Sequence, residues 1–270
     1  MAIPLEDNHE DIVGKAMRGL GYNPASLARE AGIAPEAVER VLGGENDEDA
    51  LRALAPVLRL HTGALLESAR QSWFPDAPDV AGVARFDTPF GDMRVNAYLV
   101  RDAGSREAAV FDTGTDASPI LQAIERDGLD VRRIFLTHSH RDHVADLGKL
   151  RSATGAPVSC GEDEPVQGAD AFAVGADFSL GGLTLETRLT RGHSRGGVTY
   201  VIHGLERAVA IVGDALFAGS MGGGSVSYRD ALDTTARQIL ELPDDALLCP
   251  GHGPMTTVGE EKRHNPFFAR

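Results

Sequence analysis

Apolar and polar positions along this 270-residue chain change rhythm near residue 75. Up to that point apolar residues recur at the three- and four-residue intervals of one-faced helices, with short glycine or proline breaks. The pattern predicts helices over residues 10–20, 24–31, 35–42, 47–60 and 62–72. Asn23-Pro24 and Ala34-Pro35 read as helix starts, because the first turn does not need the N–H that proline lacks. Pro56 falls inside the fourth helix and should kink or shorten it. From about Val80 the pattern becomes short strand-like runs between glycine turns, at 83–86, 93–101, 108–112, 131–136, 158–160, 183–189, 198–203 and 208–212. Helical segments are predicted at 118–127, 144–152 and 229–241. Strands followed by covering helices indicate a layered α/β domain. Two domains are expected, 1–75 and 76–270, joined through Trp73-Phe-Pro-Asp-Ala-Pro78, whose prolines suit an extended connection.

Composition narrows the class. A hydrophobic content of 42% and a charged content of 24% are those of a globular protein with a real core. The acidic start has no apolar stretch of signal length, and no apolar run approaches the roughly 20 residues of a membrane helix. Cys160 and Cys249 are too far apart for a cysteine-based zinc motif and read as reduced thiols, so a cytoplasmic setting is expected. A net charge of −14 disfavours a polyanionic partner, because phosphate binding rests on Lys and Arg.

The candidate chemistry is concentrated in Thr137-His-Ser-His-Arg-Asp-His143, directly after the predicted strand 131–136. His138 and His140, two apart on an extended loop, can reach one ion from the same side. Asp142 and His143 turn the other way and can serve a second. Core packing does not call for such a cluster, since unpaired polar groups are costly to bury. His193 in Gly192-His-Ser, Asp214 in Gly213-Asp-Ala and His252 in Pro250-Gly-His-Gly each sit in a glycine turn after an apolar run. Glycine lets the backbone approach closely enough for a short ligand.

With these residues in place, the chain resembles metallo-β-lactamase-fold proteins over about residues 80 to 270, and the glyoxalase-II-like thioester hydrolases in particular. Asn96-Ala-Tyr-Leu-Val, Phe111-Asp-Thr-Gly and the tail from Pro250-Gly-His-Gly-Pro onward are similar to that branch. The resemblance implies a four-layer αββα sandwich with a two-metal site at the edge of its sheets. It gives one ion to His138, His140 and His193 and the second to Asp142, His143 and His252, with Asp214 bridging. It places Asp112 behind the metals, orienting a ligand histidine. Two features depart from the branch: residues 218–228 lack its Gly-Arg-x-Asp turn, and Ser194-Arg-Gly196 replaces its Thr-Pro-Gly.

Mixed histidine and carboxylate ligands suit zinc first, and also iron or manganese. Two ions about 3.5 Å apart lower the pKa of a shared water towards 7, so metal-bound hydroxide can attack a small thioester, ester or lactone without a protein nucleophile. Asp142 is the candidate to steer that hydroxide, and Arg195 and Tyr228 are candidates to meet a substrate carboxylate. One alternative is an iron persulfide dioxygenase of the same fold, whose characteristic Cys aligns with Gly197 here. Another is a DNA-binding regulator, because residues 26–44 resemble the helix-turn-helix of Cro/repressor-like proteins. Residues 1–75, however, hold 12 acidic against 7 basic side chains, and the segment placed like a recognition helix offers Glu36, Glu39 and only Arg40. The expectation is therefore a helical module that packs on the metal domain or a second copy, with Trp73, Phe74 and the fifth-helix leucines in contact.

Overall fold

The computed structural model describes residues 3–270. Five helices come first: α1 (His9–Gly19), α2 (Pro24–Ala31), α3 (Pro35–Leu42), α4 (Glu48–Val57) and α5 (Thr62–Arg70). Their apolar faces close on a core containing Ile12, Leu27, Val38, Leu51, Leu54 and Leu65. Pro24 and Pro35 open α2 and α3 as expected, and Asn23 caps α2 by accepting the Ser26 N–H at 2.9 Å. Pro56 lies in the last turn of α4, and the helix stops at Val57, short of the predicted 60. With no N–H to donate and a ring that crowds the preceding turn, Pro56 interrupts the hydrogen-bond ladder there.

The remaining chain forms two six-stranded sheets. The first contains β1 (Val83–Phe90), β2 (Met93–Arg101), β3 (Glu107–Phe111), β4 (Asp130–Phe135), β5 (Val158–Gly161) and β6 (Asp170–Phe172). Helices α6 (Ser118–Asp127), α7 (Arg141–Val144) and α8 (Leu147–Thr154) lie between its strands in sequence. The second contains β7 (Asp177–Leu180), β8 (Leu183–Leu189), β9 (Val198–His203), β10 (Val209–Gly213), β11 (Leu247–Pro250) and β12 (Thr256–Thr257), with α9 (Tyr228–Gln238) and α10 (Val258–His264). The inner faces share one core, in which Tyr98, Phe111 and Phe135 meet Leu185, Tyr200 and Ile211. The outer face of the first sheet packs through Ile134 and Val158 on Ile120 and Leu150, and the second sheet has its own outer cluster around Val212, Leu216 and Leu248. These layers make a four-layer αββα sandwich, preceded by the helices.

Several boundaries differ from the sequence expectation. The predicted helix 144–152 is two short helices, α7 and α8, separated at Ala145-Asp146. There Asp146 turns its carboxylate to the Ala117 N–H at 2.8 Å. β1 runs through Pro89 because it is an edge strand paired only with β2, so the missing N–H costs no ladder bond. Strands β6, β7, β11 and β12 and helix α10 were not anticipated.

The helices are fastened to the sandwich at two places. On the α5 side, His61 N donates to Pro266 O at 2.7 Å, His264 pairs with Glu67 at 2.8 Å, and Trp73 stacks on His264 and donates Nε1 to Glu260 at 2.8 Å. On the α1 side, Lys15 pairs with Asp7 and donates to Met221 O at 2.9 Å, while Ser220 Oγ donates to Asp7. Phe74, expected at a contact, stays 46% exposed.

Candidate metal centre

The site forms where the carboxyl ends of parallel strand pairs from the two sheets come together. β3 and β4 run parallel in the first sheet and β10 and β11 in the second, so the loops leaving them point to one sandwich edge. Thr137 to His143 follows β4, Asp214 follows β10 at the left-handed Gly213 (φ 52°), His252 follows β11, and His193 joins from the β8–β9 loop. Tyr200 Oη holds the entry to the first loop through Leu136 O at 2.7 Å. Asn96 Nδ2 donates to both Pro250 O and Gly253 O at 2.9 Å, which fixes the loop around His252.

Two donor groups result. His138, His140, His193 and Asp214 form one and Asp142, His143 and His252 the other, with the donor atoms of each group all within 4.8 Å of one another. Asp214 touches both groups: its Oδ2 lies 3.4 Å from His193 Nε2 and 3.4 Å from His252 Nε2, and its Oδ1 lies 3.3 Å from His143 Nε2. Asp142 Oδ2 is 3.2 Å from His252 Nε2. All seven predicted positions are thus brought together.

The opposite ring nitrogens are spoken for. His143 Nδ1 donates to Asp112 Oδ2 at 2.9 Å, His193 Nδ1 to Gly223 O at 3.0 Å and His252 Nδ1 to Arg94 O at 2.7 Å. Each bond fixes the ring and turns Nε2 towards the space shared by the two groups. Asp112 also accepts the Thr137 N–H at 2.8 Å and the Thr137 hydroxyl at 2.7 Å, so it orients both the loop and a histidine. His138 Nε2, His143 Nε2 and Asp214 Oδ1 are buried with no hydrogen-bond partner among the described residues. Such orphaned atoms are costly unless something else satisfies them, and their convergence fits divalent cations, which take imidazole and carboxylate ligands together.

Electrostatics agree with that fit. Burial alone would raise Asp214, but the charges of His143 and His252 hold it well below the carboxylate range. Burial lowers His138 well below the usual imidazole value, leaving it neutral and able to coordinate. His143 and His252 are also lowered by burial, yet the surrounding carboxylates outweigh this and push them up to about 10 and about 11.

Arg195 and Tyr228 do not line this cleft. Arg195 is exposed to solvent. Tyr228 turns towards the helical core and lies against Gly19, where any Cβ would stand 2.2 Å from its ring. Sequence reasoning missed Glu164, whose carboxylate accepts from Ser139 N, Ser139 Oγ and Gly196 N (3.0 Å) and so ties the two histidine loops together. It also missed Glu6, Asp7 and Lys15 of the N-terminal segment, which line the cleft beside His252 and Asp214. The cleft has a volume of about 460 Å³ and an apolar side made by Phe90, Met93 and Phe217.

Residues 90–252 match the family model described as the metallo-beta-lactamase superfamily. The chain belongs to that superfamily. A Bacillus subtilis (strain 168) protein named probable metallo-hydrolase YqgX is 31% identical over 206 residues, covering 67% of this chain and 95% of its own. Hydroxyacylglutathione hydrolase GloC of Haemophilus influenzae is 30% identical over 205 residues, covering 67% of this chain and 95% of its own. Among solved structures, the BLEG-1 B3 metallo-beta-lactamase superposes with a TM-score of 0.61 at 29% identity, covering 69% of this chain and 100% of that one. Superfamily membership, the metallo-hydrolase relatives and the donor cluster together make this chain a metal-dependent hydrolase. The family match begins after the five helices.

Proposed function

We propose that the chain is a dinuclear hydrolase of small thioesters, esters or lactones. The observation that carries this reading is the division of seven donors into two groups that share the Asp214 carboxylate, with orphaned donor atoms on both sides. Zinc is the ion best matched by this donor set, with iron or manganese next. When bound, such a pair acidifies a water and polarises a carbonyl oxygen. The protein's part is to place the reactants. Asp142 faces the cleft with a carboxylate held in its charged form by His252 and His143, despite burial that would raise its pKa. It is the group positioned to accept the proton of the attacking water. Asp112 and the Gly223 and Arg94 carbonyls keep the imidazoles from turning. Phe90, Met93 and Phe217 exclude solvent from the acyl portion. Cys160 and Cys249 are buried and stand outside the cleft, so neither is the nucleophile.

The similarity to a hydroxyacylglutathione hydrolase supports a thioester as the substrate class. The dioxygenase alternative is disfavoured at position 197. A Cβ on Gly197 would stand 2.9 Å from Thr190 O and 3.0 Å from Ser194 Oγ, which leaves no room for a cysteine side chain. Elemental analysis of protein purified without chelator, combined with a thioester, ester and lactone panel, tests the reading. Two equivalents of metal and turnover of a panel member are expected. One equivalent of iron, retained when His252 is replaced, would sink it.

A further inference from the structure

A second cavity of about 260 Å³ opens beside the metal cleft, lined by Lys15, Arg18, Gly19, Gly223, Gly224 and Ser225. Lys15 and Gly223 line both spaces, so the two are adjacent. Lys15 and Arg18 are three residues apart and therefore share one face of α1. A ligand leaving the metals along that helix passes Lys15 first and Arg18 one turn later. The two cations are not equivalent. Lys15 is neutralised by Asp7 and anchored on Met221 O. Arg18 is exposed, and its guanidinium has no carboxylate partner among the described residues.

The facing wall is the loop after Asp214. Residues 217–227 contain no charged side chain. Gly223 O accepts from His193 Nδ1. A trans peptide points its N–H opposite to its C=O, so the Gly224 N–H is directed away from the histidine, and it has no acceptor among the described residues. Gly222 and Gly224 cannot carry side chains here, since a Cβ would stand 1.9 Å from Asp214 O and 2.4 Å from Tyr228 Cα. The loop therefore shows bare backbone to a lone guanidinium, in a chain of net charge −14.

We propose that this groove is an anion subsite: it holds a phosphate or carboxylate at the far end of a substrate whose scissile carbonyl lies at the metal centre. Arg18 supplies the charge and the Gly224 amide a neutral donor. The assignment rests on the metal-centre reading above and adds to it a substrate class, acyl carriers that end in an oxyanion.

The test uses metal-loaded protein and a ladder of simple alkyl thiols ending in carboxylate, phosphate monoester or hydroxyl, with binding measured by calorimetry. The thiol anchors on the metals and the other end probes the groove. At the matching chain length the anionic thiols should bind about tenfold or more tightly than the hydroxyl thiol, as a charge-assisted hydrogen bond implies. Arg18→Ala should abolish that difference without changing hydroxyl-thiol affinity, and Arg18→Glu should reverse it. Comparison of the carboxylate and phosphate arms shows which oxyanion is preferred. Hydroxyl and anionic thiols of equal affinity, or an anion preference that survives Arg18→Ala, would overturn the subsite alone. Failure of every thiol to bind would strike the metal centre itself, and the subsite with it.

Discussion

Asp112 holds three donors while sitting at a left-handed φ of 58°. Asparagine tolerates that backbone region, so Asp112→Asn keeps the turn but confronts His143 Nδ1–H and Thr137 with a group that is half donor. Metal affinity should fall by roughly 10–100-fold, the usual cost of losing such a partner behind a ligand, while far-UV circular dichroism stays unchanged. Competition with a chromophoric chelator measures it, and unaltered affinity would mean that burial alone orients His143. Asp142→Ala removes both a donor of the second group and the proposed proton acceptor. It should empty or weaken that site and reduce turnover by several orders of magnitude, with the fold intact. Cys249 behaves differently. It lies in the inter-sheet core, with Met255 Sδ at 3.9 Å from its thiol, and burial raises its pKa. Cys249→Ser leaves a poorly satisfied hydroxyl and should cost about 1–3 kcal/mol of stability at unchanged metal content and activity. Abolished activity with full metal loading would reject a mechanism without a protein nucleophile.

At the scale of elements, the turns after β10 and β11 are as demanding as the strands themselves. Gly251 N donates to Gly213 O at 2.9 Å, and a Cβ on Gly251 would stand 2.1 Å from Asp214 Oδ1 and 2.6 Å from His143 Cε1. Gly251→Ala should therefore displace the shared carboxylate: metal content falls well below that of the parent protein while secondary structure persists. Full metal retention would show that the two turns can spread without consequence. The same geometry explains which parts of the molecule were readable from sequence. β2, β8 and β9 coincide with their predicted spans because turn residues bound apolar or alternating segments on both sides. The converging donors were visible because four lie within six residues and the others sit in glycine turns. β11 has only four residues, all buried, and such a run carries no alternation to mark it. α10 has a single apolar residue, Val258, and so no helical period. It is anchored by buried Glu261, which accepts from Gly219 N, Thr256 Oγ1 and Asn265 Nδ2 at 2.7–3.0 Å. Glu164 and Lys15 escaped notice for a related reason: their contacts span 25 and 206 residues, and helical or loop patterning carries no trace of them.

Charge governs the molecule as a whole, beginning with metal uptake. With His143 pushed up to about 10 and His252 to about 11, both imidazoles hold protons at neutral pH before metal binds. Incoming ions must displace them, so loading should release about two protons and metal affinity should fall as pH falls. Calorimetry in buffers of different ionisation enthalpy counts those protons, and a release of none would contradict the assigned charge states. The same balance bears on residues 1–75, where 12 acidic side chains face 7 basic ones. Recognition of DNA calls for a basic face. Glu36 and Glu39 of α3 are exposed, whereas Arg40, the only cation of that helix, is tied to Asp47 at 2.9 Å and Glu45 at 3.3 Å. A recognition helix so arranged would press two acceptor-only groups towards phosphate-lined grooves with its one cation already paired. Other parts of the helical region are already engaged, since α1 and the segment before it line the metal cleft and Trp73 with α5 grips α10. We therefore propose that the helices complete the catalytic site and do not read DNA. Fluorescence anisotropy with pooled random duplex DNA at low salt should show no salt-sensitive binding in the micromolar range, where nonspecific DNA binders fall. Such binding, lost on Arg40→Ala, would restore the regulator reading and require α3 to exchange its carboxylate partners for phosphate.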